Sequence, residues 1–236
     1  MINKKAFTLV EILLCIGIIG IVAALTVPQL VNRTNQSTLG ITLAKTIELT
    51  QTGMTNIIQE ANRNSEDGNA VVGLSAIQKK DIGLDGEDYI MDDNNYGSLL
   101  RGFFNTEDFN DYTIANIKDY TGTDINEAIS ADLNAFRFKK LNSAVIFQKA
   151  KNLDNAERDT IIARVIIDAN GVAAPNRFGE DVFLFGLTNN GTLIPAGSKQ
   201  YNDFDDNVAV DACADTAGNG LACAARVMAD KWEIKY

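Results

Sequence analysis

The sequence predicts an α+β protein in which one long N-terminal helix packs on an antiparallel β-sheet. Two observations predict this class: an apolar run followed by a helical apolar stripe near the N-terminus, and short runs rich in β-branched residues after residue 143. The chain has 236 residues, 46% of them hydrophobic, and this is enough to enclose a hydrophobic core.

The first element is an apolar segment long enough to cross a membrane. Between Lys5 and Arg33 the only charged residue is Glu11. A helix needs about 20 mainly apolar residues to span the hydrocarbon core, and this segment supplies them. Lys4 and Lys5 predict that the short N-terminal end is cytoplasmic and that the rest of the chain lies on the other side.

Three ordinary interpretations of this apolar segment have to be considered. They are a secretory signal peptide cleaved after the Val-Ala-Ala of residues 22–24, a plain membrane anchor, and a buried helix of a soluble domain. Glu11 argues against the first two, because a charge at such a depth costs about 2.5–3.5 kcal/mol unless it has a partner. The length and the basic flanks argue against the third.

The stretch KKAFTLVEILLCIGIIGIVAALTVPQL resembles the N-terminal signature of type IV pilins and type II secretion pseudopilins. The resemblance implies that a prepilin peptidase cleaves the Ala6–Phe7 bond and methylates the new amino group of Phe7. It also implies that Glu11 pairs with the N-terminus of a neighbouring subunit, and that Pro28 is a helix-breaking proline. Ala6 departs from the glycine that the family usually has.

The resemblance implies a structural subunit of a type IV pilus or type II secretion filament, with a minor or tip subunit that binds a surface or cargo as the alternative. The partners would be the prepilin peptidase, other subunits, and an inner-membrane assembly platform with its ATPase motor. The location would be the bacterial inner membrane, with a single span, a cytoplasmic N-terminus and a periplasmic or extracellular head. The segments would be a leader (1–6), a transmembrane helix (7–30), its amphipathic continuation (31–62), a variable region (63–142) and a sheet with a cysteine loop (143–236).

Composition excludes several other classes of function. The chain has 31 acidic and 21 basic residues, a net charge of −10, which argues against a nucleic-acid partner. It has no histidine, and therefore no histidine-based triad, HExxH site or Cys/His zinc site. Nucleotide-binding and nucleophile-elbow motifs are also absent from the sequence. We therefore expect no enzymatic activity. We also expect no cofactor other than the calcium ion that is considered below.

The helical pattern continues beyond Pro28 and predicts a helix from Phe7 to about Asn62. Gly40 and Gly53 are expected to weaken this helix by about 1 kcal/mol each relative to alanine, and it could bend near Pro28–Gly40. The apolar stripe recurs at helical spacing, at Leu39, Leu43, Ile47, Met54, Ile57 and Ala61.

The remaining elements are shorter. Leu74–Lys80 and Asn126–Lys140 are predicted as short helices in the variable region. Further strands and one helix follow, with Trp232–Tyr236 as a closing strand. These are the strands Ser143–Lys149, Thr160–Asp168, Asp181–Leu187 and Thr192–Pro195, and the helix Leu221–Ala229.

Cys213 and Cys223 lie beyond the membrane segment, in what would be an oxidising compartment. Many pilins close their C-terminal loop with a disulfide, so the compartment and the resemblance both favour a bridge, worth about 2–4 kcal/mol. Two free thiols are the alternative.

Calcium is the one metal that the sequence suggests. Asp168, Asn170 and Asp181 place hard oxygen ligands around a turn, and some pseudopilins hold calcium in this part of the head. The alternative is that these residues only form the turn between two strands. A second, weaker candidate is the loop from Asp81 to Asp92, which matches an EF-hand in part.

Overall fold

The computed structural model describes residues 8–65, 73–92, 100–104, 106–108, 117–123, 135–139, 141–149, 157–171, 173–201, 213 and 219–234. The predicted cleavage site at Ala6 and Phe7 lies outside these residues. The chain divides into two compact units, Met1–Thr38 and Leu39–Tyr236. We call the first the N-terminal unit and the second the head.

The long helix is confirmed: α1 runs from Leu9 to Asn64. Its predicted stripe is also confirmed, because Leu39 is half-buried and the other five members are buried in the head. Pro28 lies inside α1 and does not break it, contrary to what the resemblance implied. Pro28 removes only one of the backbone hydrogen bonds of this 56-residue helix, the one that would reach the Ala24 carbonyl, and the helix continues on both sides of it.

The head contains a six-stranded sheet in which each strand pairs with the next one along the chain, always antiparallel. All residues of two interior strands, β4 (Ile161–Asp168) and β5 (Val182–Thr188), are buried, which explains their mainly apolar sequences. The predicted strands of this region are confirmed to within a residue. The strands are β1 (Thr106–Asp108), β2 (Phe136–Phe138), β3 (Ala144–Lys149), β4 (Ile161–Asp168), β5 (Val182–Thr188) and β6 (Leu193–Pro195).

Both faces of the sheet are covered. Val165 of β4 and Phe183 of β5 belong to a cluster that includes the buried stripe of α1. Ile166 of β4 and Leu184 of β5 point the other way, into a smaller cluster that contains Phe178. This alternation follows from the two-residue period of a strand and completes an α+β fold.

Two predicted helices of the variable region are wrong where the structure describes them, and residues 126–134 and 140 lie outside the described residues. Leu74–Lys80 is replaced by two short 3-10 helices, Leu74–Ala76 and Lys79–Ile82, because Ile77 between them is extended. Residues Phe136–Phe138, inside the predicted helix Asn126–Lys140, form β2 instead. The rings of Phe136 and Phe138 pack edge to face, and the Phe136 ring also stacks on the Phe147 ring of β3. This aromatic packing favours a strand over the predicted helix. Two further 3-10 helices cover Ile90–Asp92 and Leu100–Phe103.

The C-terminal helix is confirmed as α2, Cys223–Ala229. The predicted closing strand is wrong over its described part, because Lys231 and Trp232 turn the chain with positive φ values of 56° and 69°. Trp232 donates its N–H to the Val227 carbonyl at 2.8 Å and thereby caps α2.

Candidate assembly site

The first turn of α1 is closed by a reciprocal pair of side chains. Thr8 precedes the helix, and both its backbone N–H and its hydroxyl donate to Oε2 of Glu11 at 2.8 Å. The Glu11 N–H donates in return to the Thr8 hydroxyl at 3.3 Å. This is a capping box, and it satisfies backbone donors that a helix start leaves without partners. The carboxylate of Glu11 is therefore paired within the chain.

The role of Thr8 does not follow from the pilin resemblance, which implies only that Glu11 is a partner for another subunit. Thr8-Leu9-Val10-Glu11 nevertheless fits the spacing of a capping box. This spacing before an apolar run was the available signal. Thr8 and Glu11 thus act as one unit at the start of the helix.

The surface of α1 in the N-terminal unit is exposed on all sides, and it is mainly apolar from Leu9 to Val31. Every residue from Thr8 to Thr38 is exposed, and Leu9 keeps 76% of its surface. α1 is long and apolar enough to cross a membrane, by length and composition. So large an exposed apolar surface requires lipid or other protein around it, because a protein with this surface exposed to water would aggregate.

Two glycines give this helix places for close approach. A Cβ built on Gly17 or on Gly20 would meet no atom within 4 Å. Small residues at such positions allow the backbone of a second helix to come near. Cys15 is exposed on the same helix, as the free cysteine among the described residues.

In the head, Cys213 and Cys223 form the expected disulfide, with the two Cα atoms 4.5 Å apart. The bridge is buried: Cys223 is fully inaccessible and Cys213 is 5% exposed. A Cβ at Gly179 would lie 2.9 Å from the sulfur of Cys223, so the bridge packs directly against the backbone after Phe178.

The structure brings the three proposed calcium ligands to one end of the β4–β5 pair. Asp168 ends β4, opposite Val182, and the Ala169 N–H donates to the Asp181 carbonyl at 2.8 Å. The carboxylate of Asp181 accepts the backbone N–H groups of Asn176 at 2.9 Å and Arg177 at 2.7 Å. Burial raises the pKa of Asp181, and these two hydrogen bonds and one from Asn170 lower it by less.

This arrangement fits calcium only in part. Asp168 accepts the Asn170 N–H at 3.0 Å, and both oxygens of Asp181 already accept backbone donors, so the carboxylates hold the turn together. The side-chain oxygen of Asn170 is buried and has no hydrogen-bond partner among the described residues, and it is a free oxygen ligand. In the part of the chain that the structure describes, no group of three or more Asp, Glu or Cys side chains could hold a metal ion. Calcium binding stays a prediction.

The second calcium candidate is organised differently from an EF-hand. Asp81 lies inside a 3-10 helix and accepts the Gln78 N–H at 2.8 Å, while Asp92 lies in another 3-10 helix. Gln78 pairs with Tyr89, and this bridge closes the loop between them. An EF-hand needs a loop between two α-helices, and the described residues 73–92 contain no α-helix.

Comparison with known families supports the interpretation of the N-terminal segment. Residues 1–27 match the family model described as the prokaryotic N-terminal methylation motif. No curated protein matches the chain, and no solved structure matches it.

The matched residues include both the capping box of α1 and the start of its exposed apolar surface. The motif implies processing by a prepilin peptidase and assembly with other pilins, and it points to a structural subunit. The apolar helix and the motif are together consistent with a membrane-anchored protein. Residues 1–27 thus carry the signature of type IV pilins and pseudopilins, and they are joined to an α+β fold of pilin-like architecture.

Proposed function

We propose that this chain is a structural subunit of a filament, either a type IV pilus or the pseudopilus of a type II secretion system. The observation that carries the proposal is the exposed apolar surface of α1, interrupted by the single carboxylate of Glu11 in its first turn. A lipid-embedded helix tolerates such a carboxylate when it has a partner. A bundle of equivalent helices would bury the apolar surface and supply that partner.

The proposed steps of assembly follow from the charges near the N-terminus of the processed chain. Cleavage of the Ala6–Phe7 bond removes Lys4 and Lys5 and leaves a charged amine on Phe7. In the membrane the carboxylate of Glu11 is held by Thr8. On assembly it exchanges these hydrogen bonds for the amine of Phe7 in a neighbouring subunit, which neutralises both charges and sets the axial register. The motor that extracts the subunit is a partner protein.

The first test is the mass and the N-terminal sequence of the chain purified from membranes of its own host. The expected result is a chain that begins at methylated Phe7. A chain that begins at Leu25, or one that still carries Met1, would contradict the proposal and indicate an ordinary secreted or anchored protein.

The second test addresses Glu11 directly. Glu11→Ala should abolish filaments while the protein remains processed and in the membrane. Glu48→Ala is the matched control, since Glu48 is an exposed glutamate of the same helix with only a surface ion pair to Lys45 at 2.9 Å. Normal filaments with Glu11→Ala would show that this carboxylate does not set the register.

A minor subunit that binds a surface or cargo is the second candidate, and one observation favours it. The segment Gln78–Tyr89 forms a closed loop outside the helix and the sheet, anchored by buried Ile77 and Ile90 and carrying exposed Asp85 and Glu87. Replacing Asp85 and Glu87 together with lysine should then abolish adhesion or secretion while filaments still form. Unchanged adhesion and secretion would leave the loop without a binding role.

A further inference from the structure

The head holds α1 at the point where the helix first becomes buried. Gly40 is the first buried residue of α1. A Cβ built on Gly40 would lie 1.8 Å from the carbonyl oxygen of Trp232 and 2.9 Å from its carbonyl carbon. The backbones of α1 and of the C-terminal turn are therefore in direct contact, and only glycine at position 40 allows this.

The C-terminal turn has the conformation that this contact requires. Lys231 and Trp232 are both left-handed, at φ values of 56° and 69°, although neither is glycine. Consecutive residues of this kind are uncommon and persist where surrounding contacts fix them. Here Trp232 N–H is held by the Val227 carbonyl, and Ile234 beyond the turn is buried in the core that α1 shares.

The start of α2 connects this turn to the disulfide. Cys223 is the first residue of α2, and its sulfur is bonded to Cys213. Two residues later, the Ala225 N–H donates to the carbonyl of Ala196, just after β6, at 3.1 Å. α2 is thus fixed at its first turn by the bridge and by the sheet, and its last turn leads into Lys231 and Trp232.

We propose that residues Asp230–Ile234 form a clasp that closes on Gly40 and that the Cys213–Cys223 bridge keeps closed. With the clasp closed, the head holds α1 from Gly40 onward. With the clasp open, α1 loses this backbone contact and is first held by Leu43, whose side chain is completely buried, and then by Thr46, whose hydroxyl lies 2.7 Å from that of Ser143. The clasp therefore determines how much of α1 is free to contact lipid or another subunit. It depends only on contacts within the head, and it holds whichever filament the chain builds.

Hydrogen–deuterium exchange of the processed full-length protein in detergent micelles tests the clasp. Gly40→Ala should make the amides of residues 40–46 exchange about tenfold faster or more, while residues 54–61, deeper in the same helix, stay protected. Deleting residues 231–236 should have the same effect without introducing a clash, and it keeps the test valid if Gly40→Ala fails to fold. Gly102→Ala is the matched control, because a Cβ there meets no atom within 4 Å.

The cysteine double variant, Cys213→Ala with Cys223→Ala, tests the second half of the proposal. It should accelerate exchange both in α2 and at residues 40–46 of α1. Acceleration confined to α2 would show that the bridge does not act on α1. Unchanged exchange at residues 40–46 after deletion of residues 231–236 would overturn the clasp itself.

Discussion

The hydroxyl of Thr46 on α1 lies 2.7 Å from the hydroxyl of Ser143, next to β3, and both residues are completely buried. Thr46 donates its only hydroxyl hydrogen to the Thr42 carbonyl at 2.8 Å, so Ser143 must donate to Thr46. The two residues are 97 positions apart, and this hydrogen bond joins α1 to the residue that precedes β3.

The direction of this hydrogen bond predicts an asymmetric double-mutant cycle. Thr46→Val leaves the buried Ser143 hydroxyl without an acceptor, and it should lower the free energy of unfolding by about 1–3 kcal/mol. Adding Ser143→Ala should restore most of that loss, because the unpaired donor is gone. Urea unfolding in micelles, followed by the fluorescence of Trp232, measures each variant. Additive losses would show that the two hydroxyls do not interact.

Sequence patterns predicted the parts of the fold in which local periodicity and burial agree. α1 has a period of 3.6 residues over its buried half, and β4 and β5 are mainly apolar runs buried on both faces. The disulfide was predictable because only Cys213 and Cys223 lie beyond the apolar segment. In these cases the local preference and the tertiary structure favour the same state.

The sequence-based predictions are wrong where contacts between residues far apart in the chain determine the local structure. The strand at Phe136–Phe138 depends on the ring of Phe104, 32 positions earlier in the chain, which stacks on Phe136 with the ring centroids 5.6 Å apart. The turn at Trp232 depends on the close approach of Gly40. A single sequence does not encode such pairings in its local pattern.

Helix propensity alone predicts that alanine at position 53 stabilises the protein, and the packing around Gly53 predicts the opposite. A Cβ at this position would lie 1.8 Å from Cε1 of Phe104, whose ring is fixed by Phe136 and Phe138. Gly53→Ala should therefore destabilise the head by about 1–3 kcal/mol, despite the gain of about 1 kcal/mol in helix propensity.

Phe104→Leu in the Gly53→Ala background should recover part of this loss, since the smaller side chain leaves room for the new methyl group. Gly102→Ala is the control, with open space around its Cβ. Thermal unfolding in micelles gives the comparison. A Gly53→Ala protein as stable as wild type would mean that the Phe104 ring moves aside freely.

The capping box at Thr8 predicts a defect that a conservative change repairs. Thr8→Val removes the hydroxyl that donates to Glu11 and accepts the Glu11 N–H, while Thr8→Ser retains both bonds. We expect less membrane-inserted protein and fewer filaments with valine, and normal amounts with serine. Membrane fractionation and counting of sheared filaments measure the two steps. Equal filament numbers for valine and wild type would exclude a role for the hydroxyl.

The raised pKa of Asp181 predicts how the stability of the head depends on pH. Its pKa is raised above the ordinary 3.8 by burial, so the folded state binds this proton more tightly than the unfolded chain does. The stabilisation from Asp181 is therefore fully present below pH 3.8 and is lost as the pH rises through the folded-state pKa. We expect the free energy of unfolding of wild type, minus that of Asp181→Asn, to fall as the pH is raised from about 3 to about 7.

The same pair of proteins tests calcium binding by Asp168, Asn170 and Asp181. A bound calcium ion would favour the ionised carboxylate of Asp181, and millimolar calcium should then raise the melting temperature of wild type at neutral pH and leave that of Asp181→Asn unchanged. Magnesium at the same concentration is the control, because its smaller octahedral shell fits fewer protein oxygens. An equal response of both proteins to calcium would place any binding elsewhere. The turn would then be held by the backbone hydrogen bonds from Asn176 and Arg177 to Asp181.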